Sequence, residues 1–415
     1  MKLPGVLEIY AAPAYRVHAA MLVAAGTASS CGVPLLPLHV TTAAGGTLSE
    51  AGYITTTSLL GSLVGLVMGR VSDRRSSNIG IIRTTALLLS TGWLAVGWTR
   101  SVTQVLLVAA CFLSLSTVLN SQVFAAIAAS PESVGRGRAK VTSALRSCFS
   151  VGFMIGPLLG SMLAGIGGIK AAFSFSGLLY LSIAFIAKSA APASSEEESR
   201  KEGPAGAAEP GGLVRLAFFC ALLSMVLMGD FLKTSYLPIY IIDNLGCSLL
   251  ASGFLFGLCA GLELVAFPML GALSARFGAE WIITIAVGVA AVCYGLLAGI
   301  HHLAAVYAIQ LSHVWVFAAL HGVGPTYGQR LLGPRVGTAT ASFFVAVAAA
   351  KGLSGVVAGV FAGSLGLPGL FWVPAATCAV AFAVMALTVS RGGGGSRTAG
   401  RRATAARHRP ASPAP

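Results

Sequence analysis

Gly69-Arg-Val-Ser-Asp-Arg74 closes one long apolar stretch, and Gly271-Ala-Leu-Ser-Ala-Arg276 closes another 202 positions later (271 minus 69). A glycine, a serine and an arginine recur at one spacing, each time after the second apolar stretch of its half of the chain. Self-similarity at a fixed offset marks an internal duplication. In membrane proteins, duplicated halves related by pseudo-symmetry build transporters, with the substrate site at the interface between the repeats.

Composition extends this reading. With 56% hydrophobic and 10% charged residues and a mean hydropathy of +0.83, the chain is far more apolar than soluble domains, in which about 25% of residues are charged. A spanning helix needs about 20 mostly apolar residues. Such stretches fall near 16–38, 50–69, 79–99, 102–128, 140–165, 170–188, 213–236, 248–272, 281–300, 303–325, 337–364 and 369–390. Lipid offers backbone groups no hydrogen-bond partner, so spans this long must be helical, whereas closed barrels use alternating segments of about ten residues. The expectation is an all-α membrane protein of twelve helices in two pseudo-symmetric six-helix bundles, 1–188 and 213–390.

Basic residues set the orientation, because Lys and Arg stay on the cytoplasmic side. Of 27 Lys and Arg, only Arg100 and Lys170 fall opposite the N-terminus, and Arg146, Lys233 and Lys351 lie inside spans, which leaves 22 on the N-terminal side. Both termini are therefore expected in the cytoplasm of a bacterial cell, with the protein in its inner membrane. The formal charge of +14 reads as topology and attraction to anionic lipid headgroups. Nucleic-acid binding would need a basic soluble face, which is lacking. Residues 189–212, with Ser194-Ser-Glu-Glu-Glu-Ser199 and Glu209-Pro-Gly-Gly, read as a flexible cytoplasmic linker, and 391–415 as a disordered basic tail. The first span fits the alternation of charge as a retained helix and not as a cleaved signal.

Eight cysteines stand singly, with no CxxC and no Cys/His cluster, so neither a metal nor a redox centre is expected. The chain has no Walker loop, GxSxG or HExxH. It therefore reads as neither an enzyme nor an ATP-driven pump, and it needs no cofactor. Uphill movement would draw on an ion gradient.

Gly69-x-x-x-Asp73-Arg74 resembles the loop between spans two and three of the major facilitator superfamily, although Ala275 replaces the acid in the second copy. The resemblance implies the superfamily's twelve-helix fold and a gate at these residues: Gly69 for close helix approach, Asp73 for a latch, Arg74 and Arg276 at the headgroups, with Gly271 in the second copy. Gly152-x-x-x-Gly156-Pro157-x-x-Gly160 is similar to the glycine-proline motif of the superfamily's exporters, and Gly355, Gly359 and Gly363 echo it in span eleven. A closer resemblance, to the sugar efflux transporter family, rests on Gly32-Val-Pro-Leu-Leu-Pro37, Leu145-Arg146, Tyr240-Ile-Ile-Asp243 and Ala260-Gly-Leu-Glu263. It implies export of small sugars and glycosides in exchange for protons.

Charged groups within spans are costly in lipid and mark cavities or partners. Arg146 offers a planar fork of donors to sugar hydroxyls. Glu263 has no opposite charge on its own helix and is a candidate proton carrier. Asp230, the second such candidate, stands three residues from Lys233, so the two can neutralise one another on one helix face. Lys351 has no local acid and could meet Asp230 or Glu263. Gln310 and His313, with His321, add polar groups on one side of span ten. Arg146, Gln310, His313 and Lys351 are thus the candidate substrate ligands.

These residues describe a secondary transporter exporting a small polar solute, a sugar or glycoside, by proton antiport. A drug or natural-product exporter of the same fold is the alternative, and a non-transporting receptor or assembly factor a remote one. Its partners would be the solute, protons and lipid, and the protein is expected to be a monomer. The orientation is testable: in a cysteine-free background, a cysteine at Gly45 should react in intact cells with an impermeant thiol reagent, and one at Ser195 should not. Reversed labelling would overturn the topology.

Overall fold

A computed structural model describes residues 13–72, 78–128, 138–189, 211–332 and 336–388. The first half carries α1 (Pro13–Gly32), α2 (Leu36–Thr42), α3 (Leu48–Thr56), α4 (Ser58–Ser72), α5 (Ile79–Val96), α6 (Val102–Cys111), α7 (Ser116–Ala128), α8 (Arg138–Gly167) and α9 (Ile169–Ile186). The second half carries α10 (Gly212–Ile239), α11 (Leu249–Phe277), α12 (Ala279–Leu297), α13 (Leu303–Ala318), α14 (Gly324–Leu332), α15 (Val336–Leu365) and α16 (372–388). Among the described residues no strand occurs. Eleven helices, counted through their short interruptions, are long and apolar enough to cross a membrane. The chain is a multi-pass membrane protein.

The expected span 50–69 is not among the eleven, because it is broken: α3 and α4 meet at Thr57. Thr57 and Ser58 turn their hydroxyls onto the carbonyls of Ile54 and Thr55, each at 2.7 Å, offering the backbone a local alternative to the helix ladder. Two neighbours break as well. Pro34 and Pro37 lack N–H groups and separate α1 from α2 at a 3-10 turn, Val33–Leu35. Another such turn, Leu113–Leu115, separates α6 from α7, where the Ser114 hydroxyl donates to the Ala110 carbonyl at 2.7 Å.

The repeated hexapeptide proves to be helix end more than loop. Gly271 to Arg276 form the last turns of α11, which runs to Phe277 and stops at Gly278, whose φ of +94° leads directly into α12. A Cβ at Gly271 would meet nothing within 4 Å, so this glycine makes no close helix approach here. The Arg276 guanidinium rests 5.2 Å over the Phe277 ring. Gly69 lies on α4, whereas Asp73 and Arg74 fall outside the described residues.

The two expected glycine stripes do different work. Gly152, Gly156 and Gly160 press α8 onto α1 within the first half, so closely that a Cβ at Gly160 would lie 2.5 Å from the Cys31 carbonyl oxygen. The α15 stripe crosses between halves. A Cβ at Gly355 would lie 2.5 Å from the Thr56 nitrogen, and one at Gly52 of α3 only 2.7 Å from the Gly359 nitrogen. The Gly363 N–H donates to Ser49 Oγ at 3.0 Å, and the Tyr236 hydroxyl to the Leu48 carbonyl at 2.6 Å. Gly253 of α11 makes the matching approach to α8, at 2.7 Å from the Pro157 carbonyl oxygen. At this end, which carries the connections 43–47, 245–248 and 366–368, one core takes in Tyr236, Tyr240 and Phe371 alongside first-half side chains. A second core is built from residues 216–385 alone.

Gly355→Leu should therefore prop the α3–α15 seam open. Overpacking costs about 1–3 kcal/mol, a shift of roughly 5- to 150-fold in the ratio of sealed to unsealed protein. A reporter cysteine at Thr234, read by labelling from the sealed end, should react correspondingly faster, and an equal rate in Gly271→Ala would serve as the control.

Candidate functional site

Between the halves lies a cavity of about 230 Å³, walled by α1, α8, α10, α11, α13 and α15. Its charged groups are disposed in two ways. Asp230 and Lys233 share one face of α10 at i and i+3, with Oδ1 and Nζ 2.8 Å apart. The same ammonium donates to His313 Nδ1 of α13 at 3.0 Å, and that nitrogen lies 3.8 Å from Asp230 Oδ1. All three residues are buried. The intrahelical neutralisation expected from the spacing is present, with a third member from another helix. Inside a membrane protein such a pair survives because each charge satisfies the other.

Glu263 and Lys351 stand apart from this cluster. Both line the cavity, and among the described residues neither side chain has a hydrogen bond or an ion pair. Lys233 occupies Asp230, so Lys351 does not meet that acid, and it makes no salt bridge with Glu263 either. Gln310 and His313 both line the cavity from α13, and the Nε2 atom of each is buried without a partner among the described residues. His321 stacks on Phe317, ring centroids 4.0 Å apart, with Nδ1 3.3 Å from the Phe317 carbonyl oxygen. Arg146 belongs to α8, but its side chain lies outside the described residues.

A small chamber of about 70 Å³ opens beside the main cavity, and both share Ser29, Val33, Phe231, Thr234 and Lys351. The three broken crossings converge on it: Val33 and Pro37, then Thr57 and Ser58, then Leu113 and Ser114 all line its wall. A Cβ at Gly61 of α4 would overlap the Ser114 carbonyl, so two of these breaks touch. Irregular backbone at membrane depth is tolerated where it lines a cavity. Sequence reading missed this hydroxyl-lined wall. Pro34 and Pro37 in span one were the available signal, while Thr57, Ser58 and Ser114 look like ordinary small residues in apolar stretches.

Of the aromatic residues in the spans, Phe153 reaches the cavity from α8, and Phe231, Phe256 and Phe317 join it. Tyr236 is fully buried at the seam, Trp315 points away with 42% of its surface exposed, and the Tyr327 hydroxyl donates to Glu280 at 3.2 Å.

The sequence model of the Major Facilitator Superfamily matches residues 19–329. A protein of Deinococcus radiodurans whose name assigns it to sugar efflux is 30% identical over 381 residues, covering 87% of this chain and 94% of that protein. Sugar efflux transporter A of Escherichia coli K12 is 27% identical, covering 88% of this chain and 94% of its own length. Among solved structures, the nucleoside transporter NupG superposes with a TM-score of 0.75 at 11% identity, over 90% of this chain and 99% of that one. A bacterial homologue of the lysosomal transporter Spinster gives 0.72 at 16%, over 94% and 98%. At such identities the superpositions speak for the fold alone.

The buried triad makes a sharp energetic prediction. Lys233→Met strands Asp230 without its ammonium and should cost about 3–5 kcal/mol, seen as a lower Tm in detergent. Asp230→Asn/Lys233→Met removes both charges and should recover most of that loss; equal Tm values for single and double variants would contradict the pairing.

Proposed function

Because this chain belongs to the Major Facilitator Superfamily, we propose that it exports a small polar solute, a sugar or glycoside, in exchange for protons by alternating access. It is a transporter and not an enzyme, and the curated relatives covering most of its length are named sugar efflux transporters. The observation that carries the reading is the cavity between the halves, where Glu263 and Lys351 stand without ion-pair partners among the described residues and Lys351 also borders the chamber walled by hydroxyls. Hydroxyl groups and ammonium donors suit a polyhydroxylated solute. Glu263, free of a fixed counter-charge, is the group able to take up and release a proton, with Asp230 as the second candidate.

In this reading Arg146, Gln310, His313 and Lys351 bind the solute, and the bundles 1–188 and 213–390 rock about the seam. Gly156 and Pro157 of α8 act in the moving wall, and Gly69, Asp73, Arg74, Gly271 and Arg276 act at the opposite end. The linker 189–212, the tail 391–415 and both termini lie in the cytoplasm, and the protein works in the bacterial inner membrane. Sealed at the end that carries 43–47, the structure then corresponds to a state open to the cytoplasm, ready to load. A second reading, export of drugs or natural products, draws on Phe153, Phe231, Phe256 and Phe317, which give the cavity aromatic walls for flat lipophilic solutes.

Flux and binding in proteoliposomes, screened against mono- and disaccharides, glycosides and lipophilic cations, separate the two readings. Arg146→Ala should lose solute binding at every pH, because truncating a buried hydrogen-bonded charge costs roughly 2–5 kcal/mol or more, a drop of about 30-fold or greater. Glu263→Gln, fixed in the form of the protonated acid, should still bind and exchange solute but no longer accumulate it against a gradient. Full gradient-driven accumulation by Glu263→Gln would make that carboxyl structural and pass the coupling role to Asp230.

A further inference from the structure

The unpartnered nitrogens on α13 call for an explanation, since an orphaned buried donor is among the costlier features a native structure carries. His313 is held from one side only. An ammonium has no acceptor lone pair, so the Lys233 Nζ lying 3.0 Å from Nδ1 requires that nitrogen to be the acceptor. The imidazole proton then resides on Nε2, the atom without a partner. Lys233 is in turn fixed by Asp230 at 2.8 Å. Three residues back on the same helix, Gln310 presents a second buried nitrogen in the same condition, and both side chains line the cavity.

We propose that Lys233 is a positioning residue that fixes the His313 tautomer, so that His313 Nε2–H and the Gln310 carboxamide form a donor pair for acceptor oxygens of the transported solute. The inference rests on the reading of the central cavity as the transport site, and it deepens that reading. The matching solute group offers lone pairs without needing to give a proton: a ring or glycosidic ether oxygen, or a carbonyl. A site built this way discriminates strongly, because a solute lacking the acceptor leaves both donors stranded. The ring T-stacks on Tyr294 at 5.1 Å, which holds its plane.

The groups facing this imidazole are Asp230 and Lys233 from α10, Tyr294 from α12, and, around the cavity, Cys259 and Glu263 from α11, Lys351 from α15 and His321. Glu263 lines the same cavity, so the test is run in a Glu263→Gln background to keep that carboxyl out of the readout. Imidazole ¹⁵N spectra of full-length protein, with the remaining histidines assigned by substitution, should show His313 as one neutral tautomer protonated on Nε2 from pH 5.5 to 8.5. In Asp230→Asn/Lys233→Met the same imidazole should titrate within that window.

Binding of cellobiose and methyl glucoside completes the test. His313→Phe should weaken it by about 10-fold, while His313→Gln, which restores a donor, keeps it within about 3-fold. With Lys233 and Asp230 intact, affinity should be flat with pH; in the double variant it should weaken as the imidazole loses its proton. A proton on Nδ1, or a doubly protonated ring in the unsubstituted triad, overturns the proposal whatever the solute. Unchanged saccharide affinity in His313→Phe overturns the recognition half while leaving sugar export standing. Absence of saccharide binding before any triad substitution sinks the sugar reading itself and with it the recognition half, and the spectra then decide the role of Lys233 alone.

Discussion

A hydrocarbon core supplies no hydrogen bonds, and every other feature of this molecule answers to that constraint. Unbroken helices solve it for most of the chain. Where helices break, the hydroxyls of Thr57, Ser58 and Ser114 add hydrogen bonds at 2.7 Å to the carbonyls of Ile54, Thr55 and Ala110. Three breaks on one chamber concentrate irregular backbone where polar solutes could be received. The first half thus contributes shape and hydroxyls to the cavity. Among the described side chains, the charged groups that line it, Asp230, Lys233, Glu263 and Lys351, come from the second.

Charge obeys the same constraint. Asp230 and Lys233 neutralise one another, and the same ammonium donates to His313 Nδ1, leaving His313 Nε2 without a partner among the described residues. Glu263 and Lys351 line the same cavity outside this cluster. The geometry therefore separates an ion-paired acid, Asp230, from one standing apart from it, Glu263, a difference the sequence does not show in two carboxyl groups of equal standing.

Fold class, duplication and helix count were legible because they depend on the apolarity and length of whole segments, which residue order carries directly. The α10 pair was legible for a similar reason: i and i+3 are neighbours on any helix. What the chain order hid was every relation between helices. Nothing in span ten announces that His313 completes the α10 pair, and nothing in span eleven says which helix its glycines touch. The break at Thr57 was hidden because serine and threonine are equally at home inside an intact apolar helix. The second copy of the hexapeptide, read as a loop from the sequence, belongs to the end of α11, since small residues and arginine suit a final helical turn as well as a loop.

The two glycine stripes share one four-residue spacing, yet one presses α8 onto α1 inside the first half and the other lays α15 against α3 across the two halves. A side chain added to the α8 stripe strains the packing within a half, whereas one added to the α15 stripe strains the fit of one half against the other. One close-packing device thus guards the integrity of a bundle in one place and the seam between bundles in the other.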